Sequence, residues 1–319
     1  MQPLEDIKEK IRQALPGLDC VIGWERGWSP MAATPHFMRS PGDVDRLVWG
    51  PFNVGNPATY LTGFKGKKVG VVVKGCDSRS VVQLLQEKLV KREDVVVFGM
   101  PCEGVVDLTK VARRVGDIAM VNAAARGSGT LSVTTPEGMT EIPWEDVAAD
   151  KCLSCQYPNA ILSDHFAGEP LPPAMGRDPG AEQLATLAAM APAELFAHWA
   201  SVMDRCIRCY ACRNACPMCV CRDHCIAQTR DPHWLTQEDS VREKLMFQMI
   251  HAMHLAGRCT ECGECQRACP VDIPILALRR KLSAVVKDLF DYQAGVDPAA
   301  VPPLFTFQVE EAKINERGW

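Results

Sequence analysis

The 319-residue sequence has no apolar run approaching the roughly 18 residues a membrane-crossing helix requires. Its longest candidates are short, strand-like stretches such as Val69 to Val73, so no membrane span is expected. A secretion signal is missing too: Met1 to Leu18 mixes Glu5, Asp6, Lys8, Glu9, Lys10 and Arg12 with a few apolar residues, the pattern of an amphipathic helix and not of an export sequence. A cytoplasmic location follows as the expectation. There is no excess of basic charge, because 35 basic against 39 acidic residues leave −4, and a role on nucleic acid is not expected. No strand is followed by G-x-G-x-x-G, so the sequence shows no clean dinucleotide fingerprint.

Cysteine, in contrast, is abundant. Sixteen cysteines in a chain read as cytoplasmic argue against disulfides, since cytosolic thiols are kept reduced. Eleven of them fall between Cys206 and Cys269, a concentration that scattered structural thiols do not explain and metal binding does.

The first part of the chain reads as α/β. Lys68 to Lys74 (KVGVVVK) and Asp94 to Phe98 (DVVVF) are β-branched runs of strand length, and Ser78 to Val90 between them has helical periodicity. Strand, helix and strand with short connections predict a parallel βαβ unit. Further strands are expected in Ile118 to Val133, with turns at Gly127 and Gly129 and again at Glu137 and Gly138. A Pro- and Gly-rich stretch from Gly168 to Gly180 then marks a domain boundary. Beyond it, Glu182 to Ala191, Ala193 to Met203, Ser240 to Ala256 and Leu276 to Phe290 are periodic helices, the third closed by Gly257. The expected division is an α/β domain over 1–170, an α-helical domain over 171–295 and a tail over 296–319 that wraps on the surface or reaches a partner.

The helical part carries the most specific signal. Cys206, Cys209, Cys212 and Cys216 follow Cys-x-x-Cys-x-x-Cys-x-x-x-Cys with Pro217 next, and Cys259, Cys262, Cys265 and Cys269 repeat the spacing with Pro270 next. Three thiolates spaced by two residues can wrap one 4Fe-4S cube, while the fourth begins a segment leading to the neighbouring cube. The predicted ligation is therefore crossed: Cys206, Cys209 and Cys212 with Cys269, and Cys259, Cys262 and Cys265 with Cys216. Zinc modules use pairs of ligand pairs and not triplets closed by Cys-Pro. The long, helical insert between the repeats resembles the α-helical ferredoxin domains of heterodisulfide reductase and succinate dehydrogenase iron–sulfur subunits. Within it, Cys219, Cys221, Cys225 and His224 allow an additional metal or are packed thiols beside a crowded site, and Cys20 would complete a set of four cysteines.

Four more cysteines lie in the α/β part. Cys76 follows the first predicted strand, Cys102 follows the second, and Cys152 and Cys155 form a Cys-x-x-Cys. At the C-terminal edge of a parallel sheet, helix N-termini and outward-pointing amides favour an anionic ligand, and an iron–sulfur cluster is one.

With Met100-Pro101-Cys102 after a strand, Gly75-Cys76 after another and Cys152 with Cys155 further on, the chain resembles the FrhB/FdhB beta subunits of deazaflavin-reducing hydrogenases and formate dehydrogenases. That resemblance covers roughly residues 66 to 170 and implies a third 4Fe-4S cluster on Cys76, Cys102, Cys152 and Cys155. It also implies FAD or FMN as a possible cofactor; Trp49 to Leu61 is either a flavin-contacting loop or a turn into a short helix. As a fusion with a dicluster ferredoxin domain, the chain looks like iron–sulfur subunits of formate dehydrogenase-associated or HdrABC and FlxABCD complexes of anaerobic metabolism. The expected function is a non-catalytic electron-transfer subunit, relaying electrons between a dehydrogenase, hydrogenase or flavoprotein and a heterodisulfide-reductase-like partner. The alternative is a flavin-containing catalytic subunit exchanging hydride with a deazaflavin or nicotinamide.

Other residues read as structural. Asp77, Ser78 and Arg79 could contact cluster sulfur or a cofactor phosphate, but residues opening a helix ordinarily cap it. Met246, Met249 and Met253, at helical spacing, are expected in the core, and His251 and His254 are read as structural.

Overall fold

The computed structural model describes residues 2–221, 225, 227 and 235–306; His224 of the sequence motif lies outside them. The first part is built on a five-stranded sheet from β1 (Cys20–Arg26), β2 (Ala33–Met38), β3 (Val69–Val73), β4 (Val95–Gly99) and the two-residue β8 (His165–Phe166), in the order β2-β1-β3-β4-β8. β1, β3, β4 and β8 run parallel, and β2 is antiparallel at the edge. Every residue of β3 is buried, as its unbroken apolar run requires of a strand covered on both faces. The mixed α/β region with parallel strands is thus as expected, followed by a helical region.

The connection from β3 runs through helix Gly75–Gln86, which begins earlier than the periodicity placed it. Asp77 accepts from the Lys74 backbone N–H at 3.1 Å, satisfying a donor that a helix start leaves open. Cys76 is thereby moved from a loop into the helix's first turn. A smaller antiparallel sheet of β5 (Ala123–Arg126), β6 (Thr130–Thr135) and β7 (Gly138–Pro143) forms its own core with Leu131, Val133 and Ile142. Its turns fall at the glycines that marked them.

Helices Pro179–Ala188, Pro192–Asp204, Val241–Met253 and Ile275–Phe290 make up the second part and match the periodic segments to within a few residues. Among the described residues no helix is long and apolar enough to cross a membrane. The chain then returns to the first part: the Tyr292 hydroxyl donates to Gln83 Oε1 at 2.8 Å, Arg79 Nη2 donates to the Ala294 carbonyl at 2.9 Å, and Gln86 Nε2 donates to the Ala300 carbonyl at 2.7 Å. The two parts are also held by the Arg258–Glu87 ion pair and by hydroxyl contact between Ser80 and Thr260 at 2.8 Å.

Gly75 is where this closure is tightest. A Cβ there would lie 1.7 Å from the Tyr157 carbonyl oxygen and 2.7 Å from that of Asn159, so the Cys152–Asn159 segment can lie over the helix start only because residue 75 has no side chain. Gly75→Ala is expected to cost about 2–3 kcal/mol and to lower the thermal midpoint by several degrees. Gly17→Ala, where nothing lies within 4 Å, leaves it unchanged.

Candidate iron–sulfur sites

The C-terminal ends of β3 and β4 deliver Cys76 and Cys102 to one sheet edge, and the Asp150–Leu153 turn of helix with the loop after it brings Cys152 and Cys155 to the same place. All four line one cavity of about 330 Å³, with Lys74 and Lys151 among the other lining residues and Cys259 of the second ferredoxin motif. The Cys102 backbone N–H donates to the Pro158 carbonyl at 2.9 Å, and the Gly104 N–H donates to Cys102 Sγ at 3.4 Å.

Charge in this cavity is arranged for an anion. Lys74 Nζ pairs with Asp77 at 2.7 Å, with neither side chain more than 3% exposed. It also donates to the Asn53 carbonyl at 2.9 Å and lies 4.0 Å from the Trp24 ring centroid. Burial works against this ammonium, but Asp77, Cys76 and Cys102 outweigh burial and raise its pKa. Burial also lifts the thiols: Cys76 well above the usual range, Cys102 up to about 12, and Cys155 in the same direction. Such thiols keep their protons at neutral pH until a metal displaces them. The raised thiols of Cys76, Cys102 and Cys155, with Cys152 beside them and the Lys74 and Lys151 ammonium groups in the same lining, fit a thiolate-bound cluster of net negative charge.

Segment Trp49 to Leu61 serves this edge. Trp49 Nε1 donates to the Pro101 carbonyl at 3.0 Å, the Asn53 and Gly55 carbonyls accept from Lys74, and Asn56 Nδ2 donates to Ser80 at 2.9 Å. It ends in the short helix Ala58–Leu61, the second of its two sequence readings. Asp77, Ser78 and Arg79 act as helix-start and packing residues: Ser78 Oγ donates to the Gly75 carbonyl at 2.7 Å and accepts from the Ile161 N–H at 2.8 Å, and Arg79 lies 4.6 Å from the Tyr157 ring centroid.

The two ferredoxin motifs fold alike. In each, the residue before the second cysteine and the one after it take positive φ: Arg208 (47°) and Tyr210 (61°), then Glu261 (56°) and Gly263 (74°). Each loop then enters a short helix, Ala211–Asn214 or Glu264–Arg267. Cys206 and Cys212 share a packed cluster with Phe247, Ile273 and Cys265, and Cys269 lies against it. Cys216 is electrostatically felt by Cys259, Cys262 and Cys265, so the fourth cysteine of the first motif lies beside the triplet of the second. Burial raises Cys262 to about 11 and both Cys212 and Cys265 to about 12. Cys209 is exposed.

Residues that the sequence reading missed surround these thiols. Arg279 is 2% exposed, and its raised pKa survives burial because Cys265, Cys216 and Cys259 offset the desolvation. It donates to His251 Nδ1 at 2.9 Å, which leaves His251 Nε2 as the N–H facing Cys219 Sγ at 3.2 Å. Burial and then the Arg279 charge lower the His251 pKa to about 2. Gln248 Nε2 lies 3.8 Å from Cys206 Sγ.

Helix Val241–Met253 therefore turns Lys244, Phe247, Gln248 and His251 inward, and the methionines expected in the core are outside: Met246, Met249 and Met253 are 48%, 49% and 57% exposed. His254 is exposed as well. The polar stripe won the interior because its groups meet the cysteine region.

Cys219, Cys221 and Cys225 line a cavity of about 400 Å³ with His251 and His254, and Arg213 Nε donates to Cys225 Sγ at 3.3 Å. Among the described residues, no group of three or more His, Cys, Asp or Glu is placed to hold a single metal ion. Cys20 is fully buried at the N-terminal end of β1, level with Val69, away from the strand ends that carry Cys76 and Cys102.

Similarity to known proteins supports an iron–sulfur protein. The 4Fe-4S dicluster domain family matches residues 202–273. The chain is 33% identical over 117 residues to the F420-dependent formate dehydrogenase subunit beta of Methanocaldococcus jannaschii, covering 34% of this chain and 28% of the relative. It is 28% identical over 106 residues to F420-dependent formate dehydrogenase 1 subunit beta of Methanococcus maripaludis, covering 33% of this chain and 26% of that one. The chain thus spans little more than a quarter of either relative's length. A chain of the F420-reducing NiFe hydrogenase complex from Methanosarcina barkeri superimposes with a TM-score of 0.38 at 17% identity, over 48% of this chain and 63% of that one, too weakly to carry any argument. The resemblance to FrhB/FdhB-type beta subunits joined to a 4Fe-4S dicluster domain is supported by these matches.

Removing the Lys74 charge leaves Asp77 buried and unpaired, so Lys74→Met is expected to cost about 3–5 kcal/mol. The double variant Lys74→Met with Asp77→Asn recovers most of the lost thermal stability.

Proposed function

We propose that the chain is a cytoplasmic iron–sulfur electron-transfer subunit of a multi-subunit oxidoreductase, divided into an α/β domain over 1–170, a helical dicluster domain over 171–295 and a tail. Three groups of cysteines would hold 4Fe-4S clusters: Cys76, Cys102, Cys152 and Cys155; Cys259, Cys262, Cys265 and Cys216; and Cys206, Cys209, Cys212 and Cys269. When bound, the clusters supply one-electron redox chemistry at potentials set by charge, hydrogen bonding and exposure. The observation that carries the reading is the shared cavity: the four N-terminal cysteines and Cys259 line the same space, so the first two groups adjoin. Cys216, the link between the two motifs, joins the second to the third.

The protein's own part is to hold the thiols in a water-poor setting, supply positive charge from Lys74, Lys151 and Arg279, and leave Cys209 at the surface. This ordering makes the sheet edge one end of a relay and the Cys209 loop the other. Partners in this reading are a dehydrogenase, hydrogenase or flavoprotein at one end and a heterodisulfide-reductase-like protein at the other. The similarity to formate dehydrogenase beta subunits supports a place in such a complex.

Iron, acid-labile sulfide and flavin are to be quantified per chain after anaerobic purification. About 12 irons and 12 sulfides without flavin, from three cubes of four, are expected, with Cys102→Ser falling to about 8. Stoichiometric FAD or FMN would favour instead a catalytic subunit that exchanges hydride. About 8 irons in the unaltered chain would leave the N-terminal cysteines without a cluster.

A further inference from the structure

Lys151 stands between the first two groups of thiols. It precedes Cys152 in the chain, lines the cavity that Cys76, Cys102 and Cys259 also line, and reaches across to the second ferredoxin motif. There Nζ donates to the Cys262 carbonyl and lies 3.6 Å from Glu264 Oε1, with 13% of the lysine side chain and 3% of the glutamate exposed. Glu264 is also bound by Arg267 at 2.5 Å, so two cations share its charge.

The two ferredoxin loops differ in a way that this contact explains. Both need a positive φ after the second cysteine, and the first loop places Tyr210 there while the second places Gly263. A Cβ on Gly263 would meet Lys151 Cδ at 3.0 Å. The missing side chain is the space through which the lysine stem passes. Cys76, Cys102, Cys152 and Cys155 of one group and Cys259 of the other line the same cavity as this lysine, and its Nζ donates to the Cys262 carbonyl; thiols of both groups therefore face the same cation.

We propose that Lys151 is a shared positioning charge that sets the reduction potentials of the N-terminal cluster and of the adjoining ferredoxin cluster together, so that neither is tuned alone. The inference rests on the three-cluster reading above. An added electron makes an anionic cluster more negative, and a buried cation nearby favours that addition because little water screens it. Removing the cation lowers both potentials; a lysine serving only to pin Cys262 would leave at least one unchanged.

The test is an anaerobic redox titration followed by electron paramagnetic resonance on the full chain, comparing unaltered protein with Lys151→Gln, Lys151→Arg and the surface control Lys67→Gln. The N-terminal signal is the one lost in Cys102→Ser and the ferredoxin signal the one lost in Cys262→Ser. Lys151→Gln, which keeps a donor for the Cys262 carbonyl, is expected to shift the reduction equilibrium of both clusters at least tenfold toward the oxidised form. For a one-electron couple that is a fall of about 59 mV or more. Lys151→Arg and Lys67→Gln should move neither by as much. If Lys151→Gln sheds iron from both sites while Lys151→Arg keeps all of it, the shared charge is again supported. A shift or loss confined to one cluster, or no shift with full iron, overturns the proposal. Fewer than about 12 irons in the unaltered chain would instead defeat the three-cluster reading.

Discussion

Two lysine ammonium groups, Lys74 and Lys151, are held where the C-terminal edge of a parallel sheet meets a cysteine loop, and the surrounding structure is shaped by the need to keep them there. A buried ammonium is tolerated only with partners. Lys74 has Asp77, two backbone carbonyls and the face of Trp24; Lys151 has the Cys262 carbonyl and Glu264. The loop from Trp49, the glycine at 75, the capped start of the helix after β3 and the glycine at 263 all contribute to those arrangements. The thiols of Cys76, Cys102, Cys155, Cys259 and Cys262, which burial would otherwise keep neutral, lie around the two cations or just beyond them.

The helical part meets the same demand with a different residue. Arg279, on the last long helix, brings a guanidinium to the thiols of the second motif and fixes His251 as a neutral ring. Positive charge thus accompanies the cysteines from the sheet edge into the dicluster region, and it comes from side chains held inside the protein. Surface lysines screened by salt could not substitute for it. The C-terminal return over helix Gly75–Gln86 closes the two parts against each other, so the cavity between them has walls from both.

Much of this was legible in the sequence, because the strongest constraints act locally. The β3 and β4 runs, the turn glycines of the small sheet, the four long helices and both cysteine motifs were all visible as periodicity or spacing. β1 and β2 were not: Cys20–Arg26 contains Gly23 and ends in two charges, and Ala33–Met38 contains Pro35, so neither reads as a strand until the neighbouring β3 fixes it. β8 is two residues long and carries no pattern at all. The site's cations were illegible for a different reason. Lys74, Lys151 and Arg279 look like ordinary surface charges, and only tertiary packing turns them toward thiols. The same effect misdirected the reading of helix Val241–Met253, where the apolar methionine stripe was expected inside and the stripe bearing Gln248 and His251 took its place.

In the proposed arrangement the cysteines form three adjoining sites, with the two ferredoxin motifs exchanging their fourth ligands. A crystal structure of the anaerobically purified protein, phased on the anomalous scattering of iron, tests it most directly. The expected result is three four-iron clusters per chain, about 12 irons in all, with the middle cluster ligated by Cys216 together with Cys259, Cys262 and Cys265 and lying between the other two. Cys216 ligating the same iron centre as Cys206, Cys209 and Cys212, or no iron at Cys76, Cys102, Cys152 and Cys155, would contradict it.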